Sequence, residues 1–110
     1  MIAWDRLAEL RSEIGDEDLA EVVEMFLEEA DGVVAQIRTG LAEAEMESQL
    51  HFLKGSALNL GLSALADLCQ SGERQAAQGL GGDIDLGRID AVYQASKTAF
   101  LGAMARGDAA

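Results

Sequence analysis

From Leu19 to Leu41 the apolar residues recur at helical spacing almost without interruption. Leu19, Val22, Val23, Phe26, Leu27, Ala30, Val33, Val34, Ile37 and Leu41 follow the i, i+3, i+4, i+7 pattern of one helix face. Glu21, Glu24, Glu28, Glu29 and Asp31 lie off that stripe and read as a solvated face. The chain contains no proline, so nothing of that kind interrupts a helix. Abundant alanine and leucine favour long helices.

The same period marks four further segments. Trp4, Leu7, Leu10 and Ile14 predict a short amphipathic helix from Trp4 to Ile14, ended by Gly15. Asp16, Glu17 and Asp18 supply an N-cap and an acidic first turn for the long helix after it. Glu43 to Glu45 reads as an acidic connection. Met46, Leu50, Leu53, Ala57 and Leu60 form the stripe of a helix over 46–60, with Gly61 suited to its C-terminus. Ser63 is a candidate N-cap for the next helix, whose apolar positions are Leu65, Leu68 and Cys69 and which fades near Gly79. Gly79 to Asp83 is a loop. It lacks the Lys-Ser/Thr and the preceding strand of a phosphate cradle. The last helix runs from about Leu86 to Met104, with Ile89, Val92, Tyr93, Ser96, Phe100 and Met104 inward, and residues Arg106 to Ala110 are expected to fray.

Helices joined by short loops, with no strand signal, predict an all-α fold. The expected architecture is an antiparallel four-helix bundle with a short N-terminal capping helix. At 110 residues, one domain spanning 1–110 is the default, large enough for a single core.

The charge narrows the partners. Twenty acidic residues against eight basic ones give a net charge of -12. That argues against nucleic acid, which calls for a basic patch, and against an anionic membrane surface. One cysteine allows no intramolecular disulfide and no thiolate metal site, and fits a reducing cytoplasm. The N-terminus shows no signal-peptide pattern, and no apolar run approaches the length of a membrane span.

Against this background the single histidine stands out. With about 100° per residue, His51 lies roughly opposite the stripe of its helix. Lys54, Gly55 and Leu58 fall within about 60° of it on the same wheel. Lys54 could attract or stabilise a phosphoryl group. Gly55 lowers helix propensity, which suggests either clearance for a partner or close helix packing. Leu58 would be a dry contact. If the turn is centred on Leu62, His51 and Glu73 stand at equal height in an antiparallel hairpin. Glu73 is then a candidate to hold one ring nitrogen and leave the other free to attack.

The run His51-Phe52-Leu53-Lys54-Gly55-Ser56-Ala57, followed by Leu60-Gly61, Leu65, Leu68-Cys69 and Glu73, closely resembles the histidine-containing phosphotransfer (HPt) domain. The upstream run from Gly15 to Ala30 is similar to the helix that precedes the motif in that family. The resemblance spans about residues 4–105 and implies a four-helix bundle with the active histidine exposed midway along one helix. It implies that His51 is phosphorylated and passes the group on, that Lys54 assists it, and that Glu73 orients the imidazole. Gly55 and Leu58, with Glu47 and Asn59, are the expected partner-binding positions. Gly72 departs from the family pattern at a position where an apolar residue is common, which predicts a weaker fourth segment.

The resulting expectation is a phosphorelay intermediate, taking a phosphoryl group from one receiver-domain aspartate to another. Partners would be response-regulator receiver domains and a hybrid histidine kinase. The chain would carry no cofactor or metal of its own, with Mg²⁺ on the receiver. It shows no kinase signature and no P-loop, so ATP-dependent self-phosphorylation is not expected. A monomer suffices. The alternative is a helical adaptor that binds a protein through the same surface without chemistry. A carboxylate-bridged di-metal bundle needs two Glu-x-x-His motifs, and one histidine cannot supply them.

Overall fold

The computed structural model describes residues 2–106. Four helices, α1 (Trp4–Thr39), α2 (Glu43–Leu60), α3 (Ser63–Ala77) and α4 (Leu86–Arg106), form an antiparallel bundle, with no strand among the described residues. Each helix packs on its neighbours in the chain, and α4 closes the ring against α1. The bundle measures 42 × 21 × 20 Å. Its core joins Leu7, Leu19, Val34, Leu50, Leu53, Leu60, Leu65, Tyr93 and Phe100, all fully buried. The inward stripes read from the sequence are the faces that meet there.

The N-terminal segment and the long helix are one element broken at Gly15. That residue has φ 82° and ψ 163°, outside helical space, a conformation glycine adopts without a Cβ penalty. The segment before the break folds over one end of the bundle as a cap. The Ala3 amide donates to the Gly61 carbonyl at 2.6 Å, and Arg6 Nε donates to the Asn59 carbonyl at 3.3 Å. Trp4 stacks on the buried Phe100, with ring centroids 6.4 Å apart.

Several boundaries differ from the sequence expectation. Glu43 to Glu45 is not a connection but the first turn of α2. Carboxylates there face the unsatisfied amides of the helix start, so the acidic run favours the helix. The link from α1 is instead Gly40 to Ala42, and the long helix ends at Thr39 rather than Leu41. Leu62, not Ser63, occupies the cap position of α3, and Leu62 is buried. The Gly79–Asp83 loop contains a 3-10 turn over Gly81–Asp83. Arg106 still belongs to α4, and the fraying expected of residues 107–110 lies outside the described residues.

Gly61 ends α2 as expected, at φ 76° and ψ 21°. Its amide donates to the Leu58 carbonyl and that of Leu62 to the Ala57 carbonyl, which closes a Schellman turn. A Cβ on Gly61 would lie 2.6 Å from the Ala3 carbonyl oxygen. The sharp turn and the N-terminal clamp therefore both need glycine here. This turn fixes the register of α2 against α3.

Candidate functional site

His51 sits midway along α2, between the fully buried Leu50 and Leu53. Those neighbours hold the helix by its opposite side, so the imidazole projects outward with its side chain 72% exposed. A solvent-facing ring can be reached by something as large as a protein.

The hairpin brings Glu73 of α3 to the same height. His51 Nδ1 lies 3.2 Å from Glu73 Oε1, while Lys54 Nζ donates to Glu73 Oε2 at 3.1 Å. One carboxylate thus stands between two nitrogen groups. The distance to the ring is within hydrogen-bond range, but the alignment is not, and Glu73 Oε1 is buried without a hydrogen-bond partner among the described residues. Nε2, across the ring from Glu73, is left on the side away from the carboxylate.

Lys54 differs from the wheel's picture of a free surface cation beside the histidine. Its side chain is only 18% exposed, as is that of Glu73 at 17%. The apolar stem lies along the α2–α3 seam and the ammonium is committed to the carboxylate.

The two glycines also divide their work in an unexpected way. A Cβ built on Gly55 meets nothing within 4 Å, so close helix packing does not account for it. A Cβ on Gly72 would lie 2.7 Å from Leu50 Cδ1 and 3.6 Å from Ile84 Cγ2. Gly72 is therefore a buried close-approach position, where the missing side chain makes room for Leu50. It lets α3 come near α2 beside the residues that carry His51 and Glu73.

Leu58 is exposed at 56%, as the wheel places it. Phe52, next to the histidine, is also exposed at 46% and was not singled out from the sequence. An aromatic residue outside the Met46–Leu60 stripe was the available signal. Asn59 is half-buried, and its Nδ2 donates to the Gly55 carbonyl at 3.0 Å, so its amide braces the site helix. Glu47 is exposed one turn before His51. With Ala44, Ser48, His51 and Glu73 it lines a shallow cleft of about 340 Å³.

Cys69 is buried under this seam, and its thiol is pushed up to about 12 by burial and then by the nearby Glu73 charge. It stays protonated and unreactive at neutral pH. No cluster of three or more His, Cys, Asp or Glu among the described residues could hold a metal ion. No helix among them is long and apolar enough to cross a membrane.

A family model described as Hpt domain matches residues 21–99, which include the α2–α3 hairpin and most of α1 and α4. Comparison with curated proteins and with solved structures gives no match.

Proposed function

The chain belongs to the Hpt domain family, and from that premise we propose that His51 is its phosphoryl acceptor and donor. Histidine phosphotransfer in a phosphorelay is the family's general role. The observation that carries the assignment to His51 is its exposure beside a half-buried carboxylate.

In this reading Nε2 attacks the phosphorus of an aspartyl phosphate on a receiver domain. The bond between phosphorus and the aspartate oxygen breaks, and the carboxylate leaves with its electron pair. The proton on Nδ1 stays in place. The ring becomes cationic as the N–P bond forms, and the adjacent Glu73 carboxylate stabilises that charge. Onward transfer is the same step reversed, to a second receiver aspartate. Lys54, paired with Glu73, is the cation assigned to the incoming phosphoryl group. Gly55 gives clearance, Leu58 and Phe52 offer dry contact, and Glu47 and Asn59 frame the docking face. Mg²⁺ belongs to the receiver's acidic site. Receiver domains, with a hybrid histidine kinase upstream, are the partners, and the cytoplasm is the compartment.

The test is incubation with phosphorylated receiver domains followed by assay for acid-labile phosphate. Wild type should acquire it on His51 and His51→Ala should not. Label retained by His51→Ala would remove the assignment. Binding without transfer in the wild type would favour the adaptor.

A further inference from the structure

We propose that the groove between α1 and α4 is a docking site for a cationic amphipathic helix of a partner protein. The groove is about 600 Å³ and its floor is Val23 and Leu27, with Leu101 and Met104 along the α4 side. Leu101 is 42% exposed there. In the bundle α4 packs against α1, whereas the His51 cleft lies along α2 and α3. The groove therefore occupies the opposite side from the proposed transfer site, and both can be occupied together.

The rim chooses the occupant. Among the described residues Lys97 is the only cation lining the groove, and it is neutralised by Asp31, whose two carboxylate oxygens each lie 2.9 Å from Nζ. Glu24 and Glu28 also line the groove, and neither makes an ion pair among the described residues. Glu21, Glu24 and Glu28 are spaced i, i+3, i+7, so they form one acidic line along α1, with no ion pair among the described residues. An apolar floor beside such a line fits a helix with apolar anchors on one face and Lys or Arg flanking them. From Ala20 to Asp31 the groove follows α1 for about 16 Å, which matches a helix of roughly eleven residues. A second copy of this chain would bring like charges together, and an anionic membrane would be repelled.

The experiment uses the full chain and synthetic helical peptides. Both peptides carry leucine at i, i+3/i+4 and i+7, one flanked by lysine and one by glutamate. Methyl NMR should show the lysine peptide shifting Val23, Leu27, Leu101 and Met104, with weaker binding as salt rises. Leu101→Asp and the pair Glu24→Lys, Glu28→Lys should each weaken it by about tenfold or more. These positions are exposed, so circular-dichroism melts should match wild type. Phosphoryl acceptance by His51 should be unchanged in both variants. Leu101→Asp is decisive, because it adds acid while removing the apolar wall. Unchanged or tighter binding in that variant would reduce the effect to diffuse charge attraction and overturn the proposal. So would equal binding of the glutamate peptide, absence of binding, or self-association of the chain through these methyls.

Discussion

Gly55 and Gly72 carry the same intrinsic helix penalty, yet alanine at the two positions should act in opposite directions. Glycine in a helix interior costs about 1 kcal/mol relative to alanine. At Gly55 the new methyl meets nothing within 4 Å, so most of that gain should appear as stability. For a domain of this size it corresponds to a rise of about 4 °C or more in Tm. At Gly72 the methyl would stand 2.7 Å from Leu50 Cδ1. Relaxing to an ordinary carbon separation of about 3.5–4.0 Å requires a shift of roughly 1 Å. Leu50 is fully buried and cannot swing into solvent. Overpacking of this kind costs about 1–3 kcal/mol, which equals or exceeds the propensity gain. Gly55→Ala should therefore be more stable than Gly72→Ala by about 1–3 kcal/mol, the overpacking term alone. Denaturant unfolding with unchanged m-value measures the difference directly. Equal stabilities would refute the close-approach account of Gly72. A destabilising Gly55→Ala would refute the open-space account of Gly55. Transfer assays add a second axis: Gly55→Gln should keep the fold and lose receiver docking, because its side chain would stand beside His51, the proposed nucleophile.

Four further outcomes are expected. His51→Ala should unfold within about 0.5 kcal/mol of wild type while losing all acid-labile phosphate, read by melts and phosphotransfer assays. Glu73→Gln keeps an acceptor for the ring but removes the charge opposite Lys54, so it should retain more transfer activity than Glu73→Ala; equal rates would remove Glu73 from ring orientation. Leu58→Asp should weaken receiver binding while sparing the fold, and moderate salt should leave wild-type binding unchanged or improved; a steep loss with salt and a silent Leu58→Asp would make the interface electrostatic. The Tyr93 hydroxyl is buried, donates to Asp31 with the Leu27 carbonyl 3.3 Å away, and is pushed far above the usual tyrosine range by burial and then by the Asp31 carboxylate. With a raised folded pKa, its contribution is whole below about pH 10 and is lost as pH rises above that unfolded value. Phenolate absorbance, which reports this side chain alone because the chain has one tyrosine, should appear together with alkaline unfolding; ionisation without unfolding would contradict the buried bond.

The helices were legible because their stripes carry their own period. Every apolar position read for 46–60, from Met46 to Leu60, is buried. The equal height of His51 and Glu73 followed from counting around one turn, since Gly61 closes that turn where expected. What the sequence could not show were distances between helices. Gly72 reads as a gap in an apolar stripe, and only the position of Leu50 across the seam turns the gap into a fit. Lys54 reads as a surface cation because a wheel assigns an angle to Cβ and says nothing of where a four-carbon stem leads. The acidic run at Glu43 looks like a solvated link until it is seen to be the first turn of a helix. Glu24 and Glu28 read as a solvated face, and the groove they border needs α4 beside them to exist.

The charge arrangement around His51 also suits a shuttle better than a store. The chain has eight Lys and Arg against twenty acids, and among the described residues five of those cations are already in ion pairs. Lys54 is one of them, so in the proposed reading an arriving phosphoryl group meets a cation already committed to Glu73. To hold the phosphoryl oxygens, Lys54 must loosen that pair, and Glu73 is then left nearer to a second anion. Partly exposed charges about 4 Å apart interact by about 1–4 kcal/mol, so neither term dominates. The carboxylate stabilises the cationic ring and opposes the phosphoryl dianion, and the ammonium does the reverse. In the proposed reading these opposed terms keep the phosphohistidine from becoming a deep minimum. Transfer can then run from one receiver aspartate to another without the group being trapped between them.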